Sequence, residues 1–219
     1  STPYTPFSNS AQGGHVGYSY VEEKTVENGN ETSHNGITLY KFVNIQDEPE
    51  NLSDRLIKGF PAFSHQDNGS PLEIRYFDKN NTLIKLKTFQ YSDRQIVGNI
   101  KGLKVFQSPM TKNHMSIKFY DQFSERWDLL KTTEYNYHEK SIEPVETITE
   151  YKYNDSNLRQ NSEKTTNSNG VIVEKLTKYP IDYTSTMHIN MKNNHMVNMP
   201  IEVTTNITTG GKTTEISKY

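Results

Sequence analysis

Cysteine is absent from this chain of 219 residues. Its absence excludes disulfide bonds, thiol catalysis and zinc sites built on cysteine. Long apolar runs are absent too, since none approaches the ~20 residues that a membrane-spanning helix needs. We therefore expect no transmembrane segment in this chain.

An excess of charge of one sign is also missing, because 24 basic residues stand against 26 acidic ones. No cluster of Lys and Arg forms a footprint for phosphates, so nucleic acid is not an expected partner. The acidic residues gather at Glu22-Glu23, Asp47–Glu50 and Glu143–Glu150. We interpret these groups as solvated charge.

Apolar residues are few, at 32% of the chain, and the mean hydropathy is −0.84. Disorder would explain this, but disordered chains are poor in aromatic residues, and this one has 14 Tyr and 9 Phe. A sheet with one solvated face explains both observations, because every second residue of its strands can be polar. The composition therefore favours a β protein.

Strand-like alternation and turn residues recur along the chain. Turn signals stand at 78–81, 154–157, 167–170 and 210–211, each between alternating segments rich in Thr, Tyr, Val and Ile. One segment, near 184–197, has the pattern of a short helix that Pro200 stops. The sequence predicts an all-β fold of consecutive antiparallel hairpins, forming an elongated twisted sheet or two sequential sheets, with this one helix.

Three parts of the chain differ in composition. Residues 1–15 contain prolines and a Gly-Gly pair, which favours a flexible N-terminal arm. Residues 16–70 contain a hairpin pattern followed by an irregular connection. Residues 71–219 hold the clearest hairpins, and 16–70 and 71–219 are compatible with one domain.

Two segments share an unusual pattern, Ile74–Leu83 (IRYFDKNNTL) and Glu150–Leu158 (EYKYNDSNL). Both resemble the tyrosine–aspartate repeat of the Rhs/YD family, in which an aromatic strand ends at Asp, turns and restarts at Leu. The family's Gly is replaced by Asn80 and by Ser156, and no regular repeat period holds. Residues 178–183, the following helix and 200–202 resemble exported proteins of Bacteroidetes.

The resemblance implies export, a β-hairpin scaffold and no catalytic residues. It implies a place outside the cell or on its surface, associated with the outer membrane through an N-terminal signal removed on export, and a chain that is part of a longer polypeptide. The repeat has a physical rationale. Asp or Asn at a strand end bonds the backbone N–H groups of the turn, and Asn tolerates the left-handed conformation.

One segment is tempting as a metal site, because Met187, Met191 and His195 lie four residues apart and would share a helix face. Thioether and imidazole ligands suit copper(I). The alternative is a helix that packs its methionines on the sheet, and this favours no cofactor. Five further histidines form no metal-binding spacing: His15, His34, His65, His114 and His138.

The tyrosines are the remaining candidates for binding. Tyr135 with Tyr137, and Tyr151 with Tyr153, are same-face pairs if their segments are strands. Exposed, they would offer an aromatic face to a glycan or a protein partner at the cell surface. Alternatively, they cover the core side of a thin sheet.

Two functions remain open. The first is a non-enzymatic secreted or cell-surface scaffold with a structural or binding role. The hairpin pattern and the resemblance favour this function. The second is a glycan-active enzyme on a β framework, which would need two carboxylates facing each other about 5–10 Å apart. The sequence does not select such a pair among its 26 acids.

Overall fold

A computed structural model describes residues 18–27, 30–44, 68–107, 115–138, 143–155 and 157–219. The predicted arm at 1–15 lies outside the described residues, as do most of the predicted irregular connection and Asp47–Glu50. His15, His65 and His114 lie outside them as well.

The described residues form twelve strands, one α-helix and one short 3-10 helix, which confirms the predicted all-β class. The strands are β1 Tyr20–Glu27, β2 Asn30–Phe42, β3 Pro71–Phe77, β4 Leu83–Tyr91, β5 Gln95–Gln107, β6 Met115–Arg126, β7 Leu129–Asn136, β8 Val145–Tyr153, β9 Gln160–Asn167, β10 Ile172–Lys178, β11 Glu202–Thr209 and β12 Lys212–Lys218. The 3-10 helix, Pro180–Asp182, and the α-helix α1, Thr186–Asn193, stand between β10 and β11. No helix among the described residues is long and apolar enough to cross a membrane.

Ten strands form one sheet, in the order β1-β2-β3-β4-β7-β8-β9-β10-β11-β12. Pairing is antiparallel from β3 to the end of this series, as expected for consecutive hairpins. The departure is β5 and β6, which form a separate two-stranded sheet among the described strands. Two hydrogen bonds join the residues at the base of this extra hairpin. Ser92 N donates to Asp128 O (2.8 Å), and Asp128 N donates to Ser92 Oγ (3.0 Å). The chain therefore leaves and returns at one place, so β4 can pair with β7.

The chain divides into two compact units. One is made of Ser1–Glu22, Leu39–Leu72 and Ser92–Asp128, and contains the β5–β6 hairpin. The other is made of Glu23–Thr38, Glu73–Tyr91 and Leu129–Tyr219, and contains β7 to β12.

The turn after β3 has the predicted aspartate chemistry. The Asp78 carboxylate accepts hydrogen bonds from the backbone N–H groups of Asn80 and Thr82, both at 2.8 Å, and Asn81 is left-handed, with φ 61°. These bonds, led by that from Thr82, hold the pKa of Asp78 below its ordinary value of 3.8. The turn is thus fixed by its own side chain, before any distant contact forms.

A common device closes three turns of the sheet. Each contains one left-handed residue, which is Asn81, Leu158 or Gly170. In each turn, a side-chain oxygen accepts a hydrogen bond from the backbone N–H of the residue that follows the left-handed one. The acceptor is Asp78 for Thr82, Asn157 for Arg159 (3.0 Å) and Asn169 for Val171 (3.1 Å). The Asn- and Asp-rich turns therefore determine where these hairpins reverse, through hydrogen bonds within each turn.

We expect Asp78→Ala to lower stability in a pH-dependent way. The folded-state pKa of Asp78 is lowered, so its contribution is present above the unfolded-state value and is lost as the pH falls through the folded-state value. Urea unfolding should therefore separate wild type from variant at neutral pH, and the gap should close below about pH 4. Asp93→Ala, in an exposed position, is the control. A gap that persists unchanged in acid would contradict the assignment.

Leu158→Gly is expected to be about 0.5–1 kcal/mol more stable than Leu158→Ala. Leu158 is left-handed, with φ 59°, a conformation that destabilises alanine by about 1–2 kcal/mol and leaves glycine unstrained. The greater freedom of glycine in the unfolded chain offsets part of this difference. Both variants lose the contacts of the leucine side chain, which is 45% exposed, so the comparison isolates the backbone. Urea unfolding measures the difference, and a glycine variant no more stable than the alanine variant would contradict the left-handed conformation.

The prediction of one solvated face is wrong. Thr132 and Thr133 are neighbours in β7 and so point to opposite faces, yet they are only 6% and 7% exposed. The buried apolar residues among those described are Val43, Pro180 and Val203. On the face of Thr132, long polar side chains provide the cover, since the Lys85 ammonium lies 5.8 Å from the Tyr76 ring and 2.7 Å from a Glu134 carboxylate oxygen. The middle strands of the sheet are therefore covered on both sides, whereas the described side chains of the edge strands β1 and β12 are exposed.

Candidate functional site

The four tyrosines predicted as one aromatic face lie on two faces. Tyr135 pairs with Glu146 across β7 and β8, and paired residues share a face. Tyr151 and Tyr153 are odd-numbered steps from Glu146 along β8, so they point to the opposite side. Tyr137 follows the end of β7 and continues its pairing, since its N–H donates to Ile84 O at 2.9 Å. The structure therefore keeps each pair but does not bring the two pairs together.

The hydroxyl groups of these tyrosines serve the sheet itself. Tyr153 donates to the backbone oxygen of Leu129 at 3.0 Å. A hydrogen bond with Glu146, followed by partial burial, raises the pKa of Tyr135. Tyr135, Tyr137, Tyr151 and Tyr153 are all half-buried. These contacts fit the interpretation in which the tyrosines cover the sheet.

The predicted Met/His set does not share a helix face. Helix α1 ends at Asn193, and the Asn194 side chain donates to Asn190 O at 2.8 Å. His195 follows in the left-handed conformation, with φ 58°, so it is outside the helix that holds Met187 and Met191. Met187 is 62% exposed. In the described part of the chain, no three His, Asp or Glu side chains are grouped as metal ligands would be.

A different histidine is at the centre of the best-defined cluster. His188 is 9% exposed, and its ring stacks on Tyr183 with centroids 4.5 Å apart and planes at 18°. Its Nδ1 lies 2.6 Å from Ser185 Oγ. His188 is not among the residues predicted from the sequence as ligands. The available signal was its place three residues after Ser185, the residue that precedes α1.

A group of three charged side chains lies near the Tyr183 ring, at the end of β10. The Lys178 ammonium lies 6.0 Å from the ring centroid and 2.9 Å from Glu202, which also pairs with Lys218 at 3.1 Å. Hydrogen bonds from these two lysines lower the pKa of Glu202, and the Glu202 partner raises the pKa of Lys178. The three charges therefore tie β10, β11 and β12 together across one face.

Two hollows adjoin this region. The first, of about 310 Å³, is lined by Asn161, Leu176, Thr177, Lys178, Asp182 and Tyr183. The second, of about 510 Å³, is lined by Gln160, Glu163, Lys175, Thr177, Tyr179, Pro200, Val203 and Tyr219. Each lining contains one carboxylate, Asp182 or Glu163. Asp182 is already held by Tyr179 N at 2.8 Å and Asn154 Nδ2 at 3.3 Å.

The Ser185–His188 contact lacks the arrangement of a nucleophile and its base. A catalytic histidine is oriented by a group bound to its second ring nitrogen. In the described part of the chain, His188 Nε2 is buried and has no hydrogen-bond partner. The contact therefore orients the imidazole against Tyr183 at the start of α1.

No protein-family model matches the chain, and no curated protein matches it. Among solved structures, it is similar to a chain of the TcdB2-TccC3-TEV crystal structure, with 9% identity and a TM-score of 0.48 over 93% of this chain. It is also similar to a chain of the Tc holotoxin pore of Photorhabdus luminescens, with 9% identity and a TM-score of 0.44 over 90%. This chain spans 11% of each of those chains. Likeness at this level concerns the general course of the chain, and neither a source nor a function follows from it.

Proposed function

We propose that the chain is a non-enzymatic β scaffold, secreted or placed at the cell surface, with a structural or binding role. The observation that supports this most is the ten-stranded sheet, whose strands follow chain order apart from one side hairpin. Side chains within three of its turns accept hydrogen bonds from the backbone of the same turn, so the geometry of these hairpins is set locally. Such a frame presents half-exposed side chains, many of them polar, on both faces of its middle strands β7 to β9.

The arrangement of carboxylates supports a scaffold over a glycosidase. A glycosidase needs two facing carboxyl groups, one with a raised pKa to act as acid. Each of the two hollows has one carboxylate. Burial of Glu134 acts to raise its pKa, but hydrogen bonds from Lys85 and Asn136 outweigh it, and the pKa is lowered. This carboxyl group is held ionised as part of the sheet.

Enzymatic activity is tested by incubating the purified chain with a panel of glycans and following release of reducing ends. We expect no release above buffer. Hydrolysis that Glu163→Gln or Asp182→Asn abolishes, and that the exposed control Glu215→Gln retains, would overturn the scaffold proposal in favour of the enzyme.

Location is tested on cells that produce the complete reading frame. Protease added to intact cells should cleave the protein, or the protein should be found in the medium. Cleavage only after the cells are lysed would contradict a surface or secreted role. A cytoplasmic protein treated in parallel reports whether the cells stayed intact.

A further inference from the structure

Asparagine followed by glycine is the pair of residues in which a side-chain amide is lost most readily. The backbone nitrogen of the second residue attacks the side-chain carbonyl carbon of the first, and glycine has no Cβ atom to obstruct that attack. Among the described residues such pairs stand at Asn35-Gly36, Asn68-Gly69 and Asn169-Gly170, and a fourth, at 28–29, lies outside them. The structure gives the three described pairs different surroundings.

Two of the three pairs are held in place. Asn68 is 4% exposed, and Gly69 N donates to Val43 O at 2.9 Å, so water is kept from the amide and the attacking nitrogen is bonded. Gly36 lies within β2, so close to β3 that a Cβ atom there would meet the backbone oxygen of Phe77 at 2.9 Å. At both places, attack requires a buried side chain or a packed strand to move first.

The third pair stands in the turn between β9 and β10. Ser168, Asn169 and Gly170 are all exposed, and Gly170 is left-handed, with φ 79°. In the described part of the chain, no atom lies within 4 Å of the position that a Cβ atom of Gly170 would take. The space beside the Gly170 nitrogen is therefore open to the Asn169 side chain and to water.

Hydrogen bonds in this turn activate one reactant and restrain the other. Asn169 Oδ1 accepts from Val171 N at 3.1 Å, which closes a ring of atoms around the peptide bond to Gly170 and holds the side-chain carbonyl near it. The same donor stabilises the negative charge that develops on Oδ1 when its carbon is attacked. The Gly170 N–H donates to Asn167 O at 2.9 Å and must be released first. Because an exposed turn opens at a smaller cost in free energy than a buried segment, this restraint slows the attack less than burial does at Asn68.

We propose that Asn169 is a site of spontaneous deamidation, at which the β9–β10 turn changes its covalent structure with time. A base removes the Gly170 N–H proton, and the nitrogen bonds to Cγ of Asn169 while Nδ2 leaves as ammonia with a proton from water. Water then opens the cyclic imide at either of its carbonyl carbons. Attack on Cγ gives aspartate, and attack on the backbone carbonyl carbon gives isoaspartate, so one water is consumed and one ammonia is released.

The two products have different consequences for the turn. Aspartate keeps an oxygen in place to accept the Val171 N–H. Isoaspartate carries the main chain through its side-chain carbons, which adds one atom to the backbone beside the pair of Thr166 and Ile172 in β9 and β10. Isoaspartate should therefore weaken the pairing of these strands, whereas aspartate should not. This modification is independent of the scaffold role.

Peptide mapping of the full chain tests the proposal. The folded protein is kept in a mildly alkaline buffer, and the conversion of each amide to an acid is followed by mass spectrometry of tryptic peptides. Asn169 should convert at least about tenfold faster than Asn35 and Asn68, because its turn opens more easily. In urea, where all three pairs are unfolded and each is followed by glycine, the three rates should agree.

Asn157 is the matched control within the chain. Its Oδ1 also accepts the N–H two residues on, from Arg159 at 3.0 Å, and the residue between them, Leu158, is also left-handed. The leucine side chain obstructs the attacking nitrogen, so Asn157 should stay unconverted while Asn169 converts. Gly170→Asn keeps a residue that tolerates the left-handed conformation, so it should fold as wild type does and slow the conversion of Asn169 at least about tenfold.

The isoaspartate product has a readout of its own. Enzymatic methylation of the free carboxyl group labels isoaspartate and leaves aspartate unlabelled. The labelled fraction of the aged protein should unfold at a lower urea concentration than fresh protein, and Asn169→Asp should unfold where wild type does.

Three results would overturn the proposal. One is an Asn169 amide that persists in the folded protein after the urea-unfolded chain has lost it completely. Another is conversion of Asn35, Asn68 or Asn157 as fast as that of Asn169 in the folded protein, because the turn would then confer no selectivity. The third is an unchanged rate in Gly170→Asn, since loss of the amide would then not pass through the backbone nitrogen.

Discussion

Gly36→Ala is expected to destabilise the protein by about 1–3 kcal/mol. A Cβ atom at Gly36, in β2, would lie 2.9 Å from the backbone oxygen of Phe77, the last residue of β3. Because that oxygen belongs to the backbone, the strand itself must shift to make room. Urea unfolding of the variant should show a lower midpoint with an unchanged slope.

Gly98→Ala is the matched control for this substitution. Gly98 lies in β5, and a Cβ atom there would meet Ser124 Cβ at 3.6 Å, which is ordinary contact. Alanine also suits a strand better than glycine, so the control should be neutral or more stable by up to roughly 1 kcal/mol. If both variants behaved alike, β2 would not approach β3 as closely as the structure has it.

Val203→Ala is expected to cost about 1–2 kcal/mol, a large loss for a sheet with so few buried apolar side chains. Val203 is 7% exposed, and its backbone is bonded to Tyr219 on one side, donating to Tyr219 O at 2.8 Å and accepting from Tyr219 N at 3.1 Å, and pairs with Thr177 of β10 on the other. Because its strand is held, the site should collapse little around the smaller side chain. Urea unfolding measures the loss.

Val145→Ala serves as the control for burial. Val145 stands in β8 with 40% of its surface exposed, and the same change of side chain should cost several-fold less there. Equal losses at the two positions would mean that the cost reflects strand preference for valine and that Val203 is not a core residue.

The hairpins could be predicted because their signals are local. The turns at Asp78 and Asn169 use side chains within a few residues of the N–H groups they bond, so both partners lie in one short stretch of sequence. The placement of β5 and β6 outside the main sheet could not be predicted in this way. It depends on Ser92 meeting Asp128, and nothing within either segment indicates that contact.

The two half-buried faces were missed for a related reason. Alternation tells which residues of one strand share a face. Whether Lys, Glu and Tyr side chains of the neighbouring strands cover those residues depends on the register between the strands. Lys85, for example, is directly opposite Tyr76 in β3 and on the same face as Glu134 of β7. The separation of Tyr135 from Tyr151 also depends on the register between β7 and β8.

The candidate site was predicted only in part. The pattern predicted a helix, but asparagine side chains compete for its last carbonyl groups, and α1 ends at Asn193. This removes His195 from the helix. The cluster of His188, Tyr183 and Lys178 joins α1 to β10, and a contact between a helix and a strand leaves no regular spacing in the sequence.

The central claim is that β4 pairs with β7 in the stated register, and cysteine crosslinking tests it most directly. Thr88 and Thr133 are directly opposed, with Cα atoms expected about 4.5–5.5 Å apart, within the range of a disulfide. The chain has no cysteine of its own, so Thr88→Cys with Thr133→Cys should form one intramolecular disulfide on mild oxidation. Thr88→Cys with Glu134→Cys places the thiols on opposite faces and should not. Absence of the first crosslink, or equal formation of both, would contradict the strand order on which the scaffold rests.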